Sequence, residues 1–62
     1  MARAYTAWVV QEGKGKEATF LVSNFRDWTP TLAKAMQLVR RSDARNVAEF
    51  VETGRPVEKQ FS

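Results

Sequence analysis

The sequence predicts a single α+β domain over residues 1–62, with a three-stranded antiparallel sheet packed by two short helices in the order β-β-α-α-β. Three observations predict this class. Two segments rich in aromatic and β-branched residues flank a glycine-containing turn, two runs with helical spacing follow, and an alternating segment comes last. With 62 residues, 44% of them hydrophobic, the chain has enough apolar surface for one small core.

The first two strands are predicted at residues 4–11 and 17–23, on either side of a turn at residues 12–16. A three-residue loop centred on Lys14, with Gly15 in the left-handed region, would close them as a hairpin. One face of this hairpin would carry Trp8, Val10, Phe20 and Val22, with Trp8 opposite Phe20. The other face would carry Tyr5, Ala7, Val9, Thr19 and Leu21. We expect the helices to cover the first face, but the second is apolar enough that it could be the buried one, or the helices could straddle the sheet.

The first helix is predicted to begin at Thr29, because threonine is a good N-cap and Pro30 then occupies the first helical position, where no N–H is required. Trp28 lies just before the cap, where it can pack as a hydrophobic staple against Ala33. Four apolar residues follow helical spacing: Leu32, Ala35, Met36 and Val39. A break is expected near Arg41.

The second helix is predicted to begin at Ser42 and Asp43, a cap followed by an acidic residue that favours the helix dipole. Its apolar face consists of Ala44, Val47, Ala48 and Val51. Gly54 is suited to the position that follows a helix, and Pro56 prevents its continuation. The third strand is then predicted over residues 57–61, with Val57 and Phe61 pointing inward.

The residue content argues against catalysis. The chain has no Cys and no His, which excludes disulfides, thiolate chemistry, structural zinc and imidazole acid–base catalysis. The segment from Gly13 to Lys16 lacks the spacing of a phosphate-binding loop and is better explained as a turn. The acidic residues are scattered and do not form a ligand set for a metal ion. The sequence therefore predicts no enzyme activity, no cofactor and no metal.

The location is predicted to be cytoplasmic. The apolar run over residues 5–10 is too short for an export signal or for a membrane span, which needs about 20 apolar residues. A cysteine-free domain also suits a reducing compartment. The net charge of +3 permits contact with nucleic acid but favours it only slightly.

A basic cluster at the junction of the two predicted helices is formed by Arg40, Arg41 and Arg45. These side chains could bind phosphates or an acidic protein surface. The alternative is a solvated junction in which Arg40 lies near the C-terminus of the first helix, where cations are favoured. Lys14 and Lys16 would extend the cluster if they lie on the same side.

The end of the helical segment has the pattern Val47-x-x-Phe50-Val51-x-x-Gly54-Arg55-Pro56. After two short helices, this pattern resembles the end of a winged helix-turn-helix of the excisionase or MerR type. The resemblance implies a DNA-binding regulator that uses residues 29–57. Glu49 and Glu52 depart from it, because they would bring negative charge to the DNA phosphates, and an ordinary helix capped by glycine has the same pattern.

A second resemblance covers more of the chain. The Trp8-Val9-Val10 strand, the Trp before a short helix, and Arg40-Arg41-x-Asp-Ala-x-x-Val-Ala resemble small accessory proteins of phages and mobile elements. The resemblance implies non-catalytic binding of a host or partner protein. A homodimer, formed through the outer face of the hairpin or through an open strand edge, is a further possibility. Aromatic side chains beside arginines suit an interface centre. The expected contact residues are Tyr5, Trp8, Phe25, Trp28, Arg40, Arg41 and Arg45.

Overall fold

A computed structural model describes residues 4–61, which form a four-stranded antiparallel sheet and one α-helix. The elements are β1 (Tyr5–Glu12), β2 (Thr19–Leu21), β3 (Trp28–Thr29), α1 (Arg41–Val51) and β4 (Arg55–Phe61). The sheet order is β3-β2-β1-β4, so the long β1 is central and β4 forms an edge. The α+β class is confirmed. The predicted three strands and two helices are wrong in number, since the described residues form four strands and one helix.

The β1–β2 register differs from the predicted hairpin. Phe20 lies opposite Gln11 instead of Trp8, a shift by an odd number of residues. The cause is a longer connection: residues 13–18 include a 3-10 turn at Gly15–Glu17, and Gly13 as well as Gly15 adopts a left-handed conformation, with φ of 76° and 62°. Because side chains alternate along a strand, an odd shift moves every side chain of β2 to the opposite face relative to β1.

Both faces of the sheet are consequently buried. One core cluster contains Ala7, Val9, Phe20, Ala35 and Phe61. The other contains Val10, Leu21, Ala44 and Ala48. The helix α1 covers the second cluster, and the segment around Leu32 and Ala35 packs on the first. The expectation that Val9 and Leu21 lie together on one outer face is therefore wrong: the two residues belong to opposite faces of the sheet, and both are buried.

Residues 30–40 do not form the predicted first helix. They form a 3-10 turn at Leu32–Lys34 and then an extended segment. In this segment the N–H of Met36 donates to the carbonyl of Leu21 over 2.9 Å, and Leu38 exchanges two backbone hydrogen bonds with Trp8. The strand β2 ends at Leu21, so β1 would otherwise have unpaired backbone groups at Trp8. Pairing these backbone groups of the central strand outweighs the helical spacing of the side chains.

The predicted cap at Thr29 has a different role. Thr29 lies in β3, and its Oγ1 accepts a hydrogen bond from the N–H of Thr31 over 3.1 Å. This local bond starts the turn that contains Pro30 and does not initiate an α-helix.

The second predicted helix and the last strand are confirmed. The helix α1 buries Ala44 and Ala48 as its spacing predicts, although it begins at Arg41 and not after a Ser42 cap. Its C-cap, Glu52, is left-handed with φ of 64°, and Gly54 follows with φ of 83°. The strand β4 pairs with β1 along its whole length and buries Phe61. Among the described residues, α1 is neither long nor apolar enough to cross a membrane.

Candidate interaction surfaces

Two phenylalanine rings from different elements meet on the surface. Phe25 lies in the β2–β3 connection and Phe50 in the last turns of α1, with ring centroids 5.9 Å apart and planes at 63°, an edge-to-face contact. The two residues remain 43% and 72% exposed. We call these two residues the aromatic pair. Phe25 is among the predicted contact residues, whereas Phe50 is not. Helical spacing puts Phe50 far around the helix from the buried Ala48, which is the signal that could have identified it.

The loop that carries Phe25 is tightly hydrogen-bonded. Phe25 has a left-handed backbone with φ of 60°, a conformation that costs a bulky residue about 1–3 kcal/mol. The side chain of Asn24 accepts hydrogen bonds from the N–H groups of Arg26 and Asp27 over 2.9 and 3.0 Å. At the base of the loop, the N–H of Val22 donates to the carbonyl of Asp27 over 2.9 Å. These bonds maintain the unfavourable conformation of Phe25.

The two tryptophans among the predicted contacts support the interior. Trp8 and Trp28 are half-buried and pack against the core cluster under α1. The ring of Trp28 also reaches the turn after α1, where its Cη2 lies 3.1 Å from the point that a Cβ on Gly54 would occupy. Only part of each indole ring is therefore open to a partner.

Tyr5 lies apart from the aromatic pair. Its ring stacks on Phe61 with centroids 5.5 Å apart, and its hydroxyl donates to Oε1 of Gln37 over 2.8 Å. Phe61 belongs to the core cluster on the face of the sheet opposite α1. Tyr5 and Phe50 consequently cannot contribute to one flat contact surface.

The three arginines lie at the beginning of α1, and all are exposed. Arg40 is the N-cap of α1, so it is not at the C-terminus of a preceding helix as the solvated-junction alternative requires. The positive end of the helix dipole therefore adds to the charges of Arg40 and Arg41 and does not offset them. Arg45 forms an exposed ion pair with Glu49, with Nε 3.6 Å from Oε1.

The arginines are separated from the other candidate groups. Arg45 lies about 140° around α1 from Phe50, so the two point to different sides of the helix. The chain leaves α1 beside Gln11, whose carbonyl oxygen is 3.2 Å from the Cβ position of Gly54. The β1–β2 connection with Lys14 and Lys16 starts at Gly13, two residues after Gln11, and so lies at the far end of α1 from Arg40. The lysines therefore do not extend the basic cluster.

The outer edge of β4 presents unpaired backbone groups. Trp8 directs its N–H and carbonyl towards Leu38, away from β4, and Trp8 lies opposite Glu58 in the β1–β4 register. Backbone groups alternate in direction along an antiparallel ladder. The residues of β4 that direct their backbone groups towards the open edge are therefore Pro56, Glu58 and Gln60. Pro56 has no N–H to donate there, which is where proline is tolerated in a sheet.

This edge is poorly suited to pairing with a second copy. If two copies pair antiparallel around a two-fold axis at Glu58, the two Glu58 carboxylates lie opposite each other. If the axis is at Lys59, the two Lys59 ammonium groups lie opposite each other. A pairing centred on Val57 brings Arg55 opposite Lys59. Like charges directly opposite each other destabilise a strand pair, and Pro56 removes donors from the first and third arrangements.

We expect the double substitution Pro56→Thr/Glu58→Thr to promote self-association. It restores an edge donor and removes the facing carboxylates, so the association constant should rise about tenfold or more. Sedimentation velocity over a concentration series measures this change, and Gln60→Thr, at another outward position, is the control. If the original protein and the double variant associate equally, Pro56 and Glu58 do not prevent pairing at the edge of β4.

Among residues 4–61 there is no group of three or more His, Cys, Asp or Glu side chains placed to hold a metal ion, and no pocket is found. Comparison of the chain with protein-family models, with curated proteins and with solved structures finds no match.

Proposed function

We propose that this protein is a small non-catalytic accessory protein that binds another protein by inserting Phe25 and Phe50 into an apolar cleft of the partner. The observation that carries the proposal is the exposed aromatic pair. Large aromatic side chains in rigid positions are typical anchors at the centres of protein interfaces. Neither ring belongs to a core cluster, so packing of the core does not account for them.

The expected partner is a different protein. Projecting rings need a concave surface to receive them, and residues 4–61 have no pocket that could accept the rings of a second copy. The open edge of β4 also disfavours self-pairing. The resemblance to accessory proteins of phages and mobile elements supports a host protein as the partner.

The surroundings of the pair support a conventional interface. Arg26 follows Phe25 in the loop, and Asn46 precedes Phe50 by one helical turn; both side chains are exposed. Interfaces commonly have an apolar centre surrounded by polar groups that form hydrogen bonds with the partner. We expect the rings to provide most of the affinity and these polar groups to provide selectivity.

Capture of proteins from a nuclease-treated lysate of the source cells, followed by affinity measurement with the purified captured protein, tests the proposal. We expect Phe50→Gln to weaken binding about 30-fold, as for an interface anchor. Phe25→Asn should act similarly, because asparagine tolerates the left-handed backbone and the variant removes only the ring.

The matched control is Val39→Gln, since Val39 is 88% exposed and lies outside the pair. This variant should bind within about twofold of the original protein, because surface substitutions away from a contact change little. Circular dichroism checks that every variant is folded. If Phe50→Gln and Val39→Gln bind equally well, the aromatic pair is not the contact surface.

The second candidate function is nucleic-acid binding by Arg40, Arg41 and Arg45. Its support is the exposure of all three cations at the positive end of the α1 dipole. A helix-turn-helix needs a helix before α1, and residues 30–40 form a 3-10 turn and an extended segment instead. DNA binding would therefore have to work through α1 alone.

The same capture experiment distinguishes the two functions. If nucleic-acid binding is the function, nuclease treatment abolishes retention, and binding to a labelled duplex falls steeply with salt. Arg40→Ala/Arg41→Ala would then reduce the salt slope by about two, because each arginine that no longer binds a phosphate lowers the slope by roughly one. Under protein binding, a discrete protein survives nuclease and its retention depends on Phe50.

A further inference from the structure

We propose that Asn24 is a positioning residue that holds Phe25 in its binding conformation, so that the aromatic pair is formed before the partner arrives. The inference rests on the proposed function for its biological role. Its structural part, that the Asn24 side chain maintains the position of the Phe25 ring, can be tested in the protein alone.

Asn24 uses both ends of its amide within the loop. Oδ1 accepts hydrogen bonds from the backbone N–H groups of Arg26 and Asp27, and Nδ2 donates to Oδ2 of Asp27 over 2.8 Å. The bond to Arg26 spans Phe25 and closes a tight turn around it. Asn24 is therefore the side chain that links the residues on both sides of Phe25.

The conformation of Phe25 explains why such a link is needed. A phenylalanine with φ of 60° is in a region that bulky residues rarely occupy, so an unrestrained loop would relax towards negative φ. That change would reorient the ring and break its edge-to-face contact with Phe50. Val22 holds the loop base independently, because its N–H donates to the carbonyl of Asp27 and its carbonyl accepts a hydrogen bond from the N–H of Phe25 over 3.0 Å. These bonds fix the N–H side of Phe25, so loss of the Asn24 bonds should free the chain that follows it and leave the sheet unchanged.

Holding the ring in place has a consequence for binding. A partner that meets an ordered loop does not have to order it, so less of the interaction free energy is lost on association. Affinity should therefore depend on Asn24 even though the proposed contact is made by the rings of Phe25 and Phe50.

The test compares Asn24→Ala, which removes all three bonds, with Asn24→Asp/Asp27→Asn, which keeps an oxygen acceptor for the two N–H groups and exchanges donor and acceptor in the bond between residues 24 and 27. Asp27→Ala is the loop control, because it removes only the Nδ2 bond. In the original protein we expect NMR nuclear Overhauser contacts between the two rings and a backbone order parameter of about 0.85 at Phe25. Asn24→Ala should lose these ring contacts, and the order parameter at Phe25 should fall below about 0.6. Asn24→Asp/Asp27→Asn and Asp27→Ala should retain the contacts.

The binding arm uses the protein captured by the original chain. Asn24→Ala should weaken its binding about tenfold, and Asn24→Asp/Asp27→Asn should bind nearly as well as the original protein. If Asn24→Ala retains the ring contacts and the order of the loop, the proposal is wrong whatever the binding result. If the loop loosens but Phe50→Gln still binds normally, the proposed function fails while the structural role of Asn24 stands.

Discussion

Replacing Gly54 with alanine should destabilise the protein by about 2–5 kcal/mol. Gly54 has φ of 83°, and a left-handed alanine costs about 1–2 kcal/mol. A Cβ at this position would also lie 2.8 Å from Cγ1 of Val10 and 3.1 Å from Cη2 of Trp28, close enough to force movement. Val10 is fully buried in the central strand and Trp28 packs under α1, so the added methyl group overpacks the site by about 1–3 kcal/mol.

The matched control is Gly15→Ala. Gly15 has φ of 62°, but no heavy atom lies within 4 Å of its Cβ position, so only the backbone cost of about 1–2 kcal/mol applies. Urea unfolding followed by circular dichroism measures both variants. A domain of this size has a free energy of unfolding of about 3–9 kcal/mol, so Gly54→Ala removes a large share of it. Equal losses at the two glycines would show that close packing around Gly54 is not the cause.

Truncating Leu21 to alanine should destabilise the protein by about 2–5 kcal/mol, the range for a leucine removed from a packed core. Leu21 is 1% exposed and joins β2 to the core cluster under α1. It also ends the paired part of β2, where its carbonyl accepts the bond from Met36. A cavity at this position would weaken contacts with both the helix and the extended segment.

Burial on the other face is tested by Val9→Ala, with Val39→Ala as the same chemical change on the surface. Val9 is 0% exposed, so its substitution should cost about 2 kcal/mol, whereas Val39→Ala should stay within about 0.5 kcal/mol. Denaturant midpoints at constant m-value measure the difference. If Leu21→Ala is costly but Val9→Ala is tolerated, only one face of the sheet is buried and the observed register is contradicted.

Part of the candidate surface could be anticipated from residue type. Phe25 is a large apolar residue in a polar loop, and the three arginines form a visible cluster in the sequence. Whether Phe25 and the arginines lie on one surface could not be anticipated, because that depends on where α1 begins and on which side of the helix each residue points. Helical spacing places Phe50 away from the buried Ala48, but its contact with Phe25 depends on the folded chain, where the β2–β3 loop brings the two rings together.

Local sequence was sufficient to predict β1, α1 and β4. The periodicity of α1 is long and consistent, its end is marked by Gly54 and Pro56, and the alternation of β4 puts Phe61 inward. These elements agree with local preference and with packing at once, so no competing interaction displaces them.

The register of β2 and the conformation of residues 30–40 depend instead on tertiary interactions. The β1–β2 register follows from the left-handed backbone at two glycines in the turn. A register shift by an odd number of residues moves every side chain of β2 to the other face of the sheet. The helix predicted from the spacing after Pro30 does not form, because the backbone of Trp8 extends beyond the end of β2 and needs hydrogen-bond partners there. Leu38 provides both of them. Side-chain periodicity carries no information about an unpaired backbone group elsewhere in the chain, and here the need to pair that group determined the structure.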